Sequence, residues 1–89
     1  MEKANQTLYP CRVCGYDWGS PVWEEGIPTY DICPSCGVEA GNQDELLADV
    51  REYRQTWLKK GAIWHSRRRQ VPKDWNPQEQ MKNIPPEWF

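Results

Sequence analysis

Four cysteines stand in two pairs, Cys11-Arg12-Val13-Cys14 and Cys33-Pro34-Ser35-Cys36, with 18 residues between them. One C-x2-C pair is ambiguous, but two pairs at this separation form the pattern of a four-thiolate metal site. The chemistry accounts for the spacing. Two intervening residues let both sulfurs of a pair reach one ion while the backbone turns around it. The longer segment then brings the chain back so that the second pair completes a tetrahedron, with bonds of about 2.3 Å if the ion is zinc. A glycine follows each second cysteine, Gly15 and Gly37, and glycine tolerates the positive φ that turns backbone N–H groups toward the sulfurs. Such donors matter because four thiolates on a divalent ion leave the centre dianionic.

Other chemistries for these residues fit less well. Two disulfides, in any of three connectivities, suit an oxidising compartment. A redox dithiol of the thioredoxin kind needs one low-pKa pair at a helix start after a strand, whereas both pairs here lie in turn-rich chain. A catalytic zinc keeps an open position for water, and four thiolates would fill the sphere. His65 is the single histidine, and no Ser or Cys nucleophile with an Asp partner accompanies it. There is no phosphate-binding glycine motif. The expectation is a protein that is not an enzyme, with His65 packed or on the surface.

The elements that must position the cysteines come from a short, polar chain. Its 89 residues allow one domain, with 1–89 divided into a metal-holding segment of 7–41, a helix of 43–60 and a tail of 62–89. Apolar residues are 38%, mean hydropathy is −0.93, and there are six Trp and four Tyr. The expected core is thin and built from a few large rings. Residues 7–41 carry all the cysteines and five of the six glycines. Short extended pieces, Pro21-Val22-Trp23 and Thr29-Tyr30-Asp31-Ile32, suggest a small hairpin around Glu24-Glu25-Gly26.

From 43 to 60 the pattern is that of an amphipathic helix. Leu46, Val50, Tyr53 and Trp57 share one face, widened by Leu47 and Leu58, while Arg51, Glu52, Arg54 and Gln55 fall mostly outside it. Asn42 with Glu45 resembles a capping box. Asp44 and Glu45 sit at the start, Lys59 and Lys60 at the end, and Gly61 follows as a stop. Asn76-Pro77-Gln78-Glu79 opens a second, short helix expected to run to Asn83. Trp64, Trp75, Met81, Ile84, Trp88 and Phe89 are expected to pack back on the long helix or the hairpin.

Charge is uneven. Residues 1–50 carry two bases against nine acids, and residues 51–73 carry eight bases against Glu52, within a net charge of −2. Arg67, Arg68, Arg69, Lys59 and Lys60 are therefore candidate partner-binding residues. A protein partner fits best. Nucleic acid is a further candidate, although a pI near 5.3 is low for a dedicated binder. No stretch of 18 apolar residues exists to span a membrane, and no small-molecule substrate is evident. Met1 to Gln6 has no apolar run of the secretory kind, so the expected location is cytoplasmic, where reduced thiols hold metal rather than each other.

Cys-x-x-Cys-Gly-Tyr followed by Cys-Pro-x-Cys-Gly resembles the paired knuckles of rubredoxins and rubredoxin-like zinc ribbons. More narrowly, Tyr9 to Tyr16 with Tyr30 to Gly37 is similar to a group of small, mostly bacterial cysteine-rich proteins known for a Cys-Pro-Cys-Cys motif and without an established activity. Arg12 and Val13 stand where that motif would place consecutive cysteines. The resemblance covers residues 9–42 and implies a small α+β fold: a rubredoxin-like zinc ribbon with a short β-hairpin, one long amphipathic helix and a short C-terminal helix. It implies Cys11, Cys14, Cys33 and Cys36 as ligands and Gly15 and Gly37 as shapers of the knuckles. Rubredoxins hold iron and carry one electron. Thiolates accept zinc or iron, and the basic helix and Trp-rich tail that follow the second knuckle depart from rubredoxins, which favours zinc with iron as the alternative.

Overall fold

Each cysteine pair closes a tight loop, and the two loops follow one hydrogen-bond pattern displaced by 22 residues. Cys11 N–H donates to the Tyr16 carbonyl and Cys33 N–H to that of Val38, at 2.7 and 2.8 Å. Gly15 N–H returns to the Cys11 carbonyl and Gly37 N–H to that of Cys33, both at 2.9 Å. Isolated bridges, Pro10 with Asp17 and Ile32 with Glu39, close the two loops at their bases. Gly15 and Gly37 have φ of +84° and +86°, which only glycine adopts without strain. Their own N–H groups bond the cysteine carbonyls. The computed structural model describes residues 7–89; Met1 to Gln6, read above for the absence of a leader, lie outside them.

Between the loops runs a minimal antiparallel hairpin, β1 (Trp23–Glu24) and β2 (Ile27–Pro28), with Trp23 opposite Pro28 and Glu24 opposite Ile27. Its two-residue turn, Glu25-Gly26, has positive φ at both positions, the backbone twist that suits a tight hairpin. The strands are shorter than the sequence suggests. Tyr30 takes φ +65°, a left-handed kink that stops a strand from running through Thr29 to Ile32.

Helix α1 spans Leu47–Lys59, starting four residues later than expected. The capping box does not form. Instead the buried Asp44 carboxylate accepts from Gly41 N–H at 2.7 Å and Trp23 Nε1 at 2.9 Å, which pins a turn where the first helical turn was expected. Leu46 is extended and 64% exposed, and its carbonyl accepts the first helical bond from Val50. The other end closes as expected at Gly61, φ +100°: Gly61 N–H reaches the Leu58 carbonyl and Ala62 N–H the Trp57 carbonyl, a Schellman arrangement. The buried face is Val50, Arg54 and Trp57, with Tyr53 half-buried beside it; Leu58 is exposed.

The tail contains α2 (Pro77–Met81), capped by Asn76 Oδ1 accepting from Gln78 and Glu79 N–H. It ends two residues before Asn83, and a single 3-10 turn at Pro86–Trp88 follows. Trp75, Met81 and Trp88 pack on a core of the four cysteines, Val13, Val38, Val50, Trp57 and Ala62, and Ile84 is buried. Trp64 packs edge to face on Tyr16 and Trp75, with centroids 6.0 and 5.2 Å away. Phe89 departs from the expectation: it is 62% exposed and lies under the Arg54 guanidinium. The molecule is a small α+β body of 39 × 33 × 26 Å.

Candidate metal centre

The two loops face each other and bring Cys11, Cys14, Cys33 and Cys36 together, with all four sulfurs within 4.8 Å of one another. Cys11 Sγ lies 3.8 Å from Cys36 Sγ, and Cys14 Sγ lies 3.7 Å from Cys33 Sγ. A tetrahedron with metal–sulfur bonds of about 2.3 Å has edges of about 3.8 Å, so the donor set fits one four-coordinate ion. A disulfide needs the sulfurs at about 2.05 Å, and all four cysteines are free and buried.

The knuckle carbonyls turn outward and are taken up by the chain that follows. Buried Arg54 donates through Nε to the Val13 carbonyl (2.7 Å) and through Nη2 to the carbonyls of Arg12 (2.9 Å) and Trp88 (2.7 Å). Its Nη1 reaches the main-chain oxygen of Phe89 at 3.2 Å. On the second knuckle, the N–H groups of His65 and Ser66 donate to the Pro34 carbonyl, and Tyr53 OH donates to the Cys36 carbonyl at 3.3 Å. Gln80 joins both knuckles, its Nε2 lying 3.2 Å from the Cys14 carbonyl and 2.8 Å from Ser35 Oγ. The glycines admit this cover. A methyl on Gly15 would run into the Gln80 carbonyl, and one on Gly37 into the His65 ring.

Electrostatics follow from burial and crowding of sulfur. Burial pushes the Cys33 and Cys36 thiols upward; Cys11 and Cys14 add to this at both, while Cys36 opposes it at Cys33. Burial also works against a Cys14 thiolate, but hydrogen bonds from Cys11, Cys33, Cys36 and the Ser35 hydroxyl outweigh it and hold this thiol well below the usual range. Protons are thus concentrated on part of the set, and an ion entering must displace them. Burial lowers the pKa of Arg54, while the charges of Cys11, Cys14 and Cys36 oppose that and Arg51 adds to it. Among the described residues the side-chain ion pair present is Lys82 with Glu79. Arg54 has no Asp or Glu partner there; the sulfurs of Cys11, Cys14 and Cys36 favour its charged form, and its other partners are main-chain oxygens. Arg12 is held differently, stacked between Trp23 and Trp88 at 4.3 and 4.1 Å and donating to the Asp44 carbonyl.

The remaining candidate residues separate. Arg67, Arg68 and Arg69 line a groove of about 740 Å³ that runs between both knuckles and the Ser66 loop. Lys60 and Arg67 line a second groove that reaches Cys36. Lys59 lines neither. His65 lies exposed over Gly37 and borders both grooves.

Sequence reasoning missed Arg54, Asp44, Ser35 and Gln80. The signal for Arg54 was positional: Val50, Arg54 and Trp57 are spaced +4 and +3, the spacing of one helical face. No such signal marks Gln80, which meets the knuckles across 66 residues of chain.

Compared with known proteins, the chain is similar to the Bacillus subtilis (strain 168) protein called "Uncharacterized protein YoaQ", 29% identical over 75 residues. The match takes in 65% of this chain and 64% of the relative, so the chain spans less than two thirds of that protein's length. No protein-family model matches the chain, and no solved structure matches it.

Proposed function

We propose that this is a non-enzymatic, cytoplasmic binding module whose fold depends on one structural zinc ion held by Cys11, Cys14, Cys33 and Cys36, in the manner of a rubredoxin-like zinc ribbon. One observation carries the reading: four buried sulfurs lie within 4.8 Å of one another, two of the pairs at 3.7 and 3.8 Å, in a segment whose regular secondary structure is two strands of two residues each. Units of fewer than about 40 residues rarely fold unaided, and zinc supplies on the order of 10–16 kcal/mol of apparent binding energy that becomes folding energy. A filled thiolate sphere favours a structural over a hydrolytic ion. The Gln80, Arg54 and Tyr53 contacts then give helix and tail the same dependence on the ion.

The test is native mass spectrometry, with a visible spectrum, on protein expressed in medium containing both iron and zinc. One zinc and no colour is the expected result, with loss of chemical-shift dispersion over residues 9–40 on chelation or on replacing any ligand cysteine by serine. One redox-active iron with a red colour overturns it in favour of an electron carrier. Absence of metal with the mass of two disulfides overturns the site itself.

A further inference from the structure

The groove between the two knuckles and the Ser66–Arg69 loop combines cationic and aliphatic lining. Arg67, Arg68 and Arg69 line it together with Val22, Ile32 and Pro34, with Ile32 55% exposed. The arginine side is partly set in place. Ser66 Oγ accepts from the N–H groups of Arg68 and Arg69, Trp64 Nε1 donates to the Arg69 carbonyl, and Arg69 Nη1 donates to Tyr16 OH. The amides of Ser66, Arg68 and Arg69 are thus occupied, so an anion here meets chiefly guanidinium groups. Arg67 and Arg68 have no hydrogen bond or ion pair from their side chains among the described residues. Planar guanidinium forks match carboxylates in two-point contacts.

We propose that this groove docks an extended acidic segment of a partner protein, one that carries aliphatic side chains beside its carboxylates. The proposal rests on the binding-module reading and names the partner's chemistry. An extended strand alternates side chains at period two, so an aliphatic residue can cover Ile32 while its neighbours reach the arginines. Two features turn the groove away from a nucleic-acid strand. Asp31, held by the Thr29 hydroxyl at 2.8 Å, lines the same groove and would repel the phosphate that a strand, charged at each nucleotide, brings beside it. Tyr16 and Trp18 are packed edge to face, 6.1 Å apart at 79°, rather than offered as a stacking platform. An acidic peptide can place an uncharged residue against Asp31.

A random heptapeptide display library, panned against the metal-loaded full chain, tests this. The expected selection is enriched in Asp and Glu next to Leu, Ile or Val. A selected peptide, resynthesised, should bind the Arg67→Glu/Arg68→Glu variant at least about tenfold more weakly. That variant is chosen because neither side chain supports the fold, and its metal content and shift dispersion are expected to match the parent. Ile32→Ser should lose the aliphatic preference and keep the acidic one. The proposal is overturned by selection without acidic enrichment, by undiminished binding to the double variant, or by a short single-stranded oligonucleotide that binds the groove more tightly than any selected peptide. A loaded, folded protein without acidic preference ends this proposal and leaves the structural-metal reading standing. A metal-free protein that stays folded and selects the same peptides ends the metal reading and leaves this one standing.

Discussion

Arg54→Met separates two jobs that one guanidinium performs. Methionine keeps much of the aliphatic length and removes the charge along with four hydrogen bonds, two to the first knuckle and two to the main-chain oxygens of Trp88 and Phe89. Hydrogen bonds from a charged group contribute about 1.5–3 kcal/mol each, and an orphaned buried acceptor costs about 1–3 kcal/mol. These do not add, because the four bonds share one side chain and the tail can partly relax. A loss of about 3–5 kcal/mol is expected, the range for breaking a buried charged network. For a domain with about 5–15 kcal/mol in total, that is a large share. Urea unfolding followed by tryptophan fluorescence reads it, at fixed free zinc because bound metal itself shifts the midpoint.

Arg54→Lys adds the second readout. Lysine keeps the positive charge but lacks the planar fork needed to hold knuckle and tail at once. It should lose most of the same stability. In competition with a chromophoric chelator, however, it should hold zinc at least about tenfold more tightly than the methionine variant, which leaves the dianionic centre without its buried cation. The reasoning is refuted if Arg54→Met costs less than about 1 kcal/mol, or if the lysine and methionine variants hold zinc equally.

Other consequences are more direct. Gly15→Ala and Gly37→Ala each force a left-handed residue, about 1–2 kcal/mol, but the new methyl meets main chain of α2 at Gly15 and a movable His65 ring at Gly37. Thermal unfolding should therefore show Gly15→Ala clearly the worse, and equal shifts would contradict the described cover. Zinc affinity should fall with decreasing pH, with a slope steeper than one proton between about pH 6 and 8, because the Cys33 and Cys36 thiols are raised when the ion is absent and both must be deprotonated to bind it; a flat chelator-competition profile would exclude this. Burial, reinforced by the charges of Cys36, Cys33, Cys11 and Cys14, raises Tyr53 above the usual tyrosine range. Its stabilising contribution is present below the unfolded pKa of about 10 and is lost as pH rises through the folded one. Tyr53→Phe should accordingly flatten the alkaline arm of the stability–pH curve, and an unchanged arm would count against it.

What the sequence made legible was local. Asn76 followed by Pro77 marks a helix start whose donors are two and three residues away, and Gly61 marks a stop whose bonds span five residues at most. The failures were contests between a local signal and a distant partner. Asn42 with Glu45 is a sound capping pattern, but Asp44 finds Trp23 Nε1 across 21 residues, and the turn this creates delays the helix. Arg54 looked solvent-facing by residue type, although its position on the helix is that of a core residue. Burying it is tolerable because its donors meet carbonyls contributed by chain 34–42 residues away. Composition cannot report such partners.

The 22-residue relation between the knuckles shows how helix and tail are tied to both cysteine loops. Arg12 and Pro34 occupy equivalent positions, and their carbonyls accept from Arg54 and from the His65 and Ser66 amides. Cys14 and Cys36 are likewise equivalent, and their carbonyls accept from Gln80 and Tyr53. The loop carbonyls that the following chain covers are cut off from water, and each then needs a donor. Two near-identical loops pose this problem twice, and one chain answers it with five donor residues drawn from α1, the Ala62–Ser66 segment and α2. The donors are asymmetric because they come from a single strand of polypeptide passing over a two-fold object. Losing the ion would free both knuckles and so release all five donors together. For that reason unfolding on chelation should extend to α1 and the tail, with Trp57 and Trp88 reporting the same midpoint as the knuckles; a tail that kept its packing after the ion was gone would show that it folds on its own account.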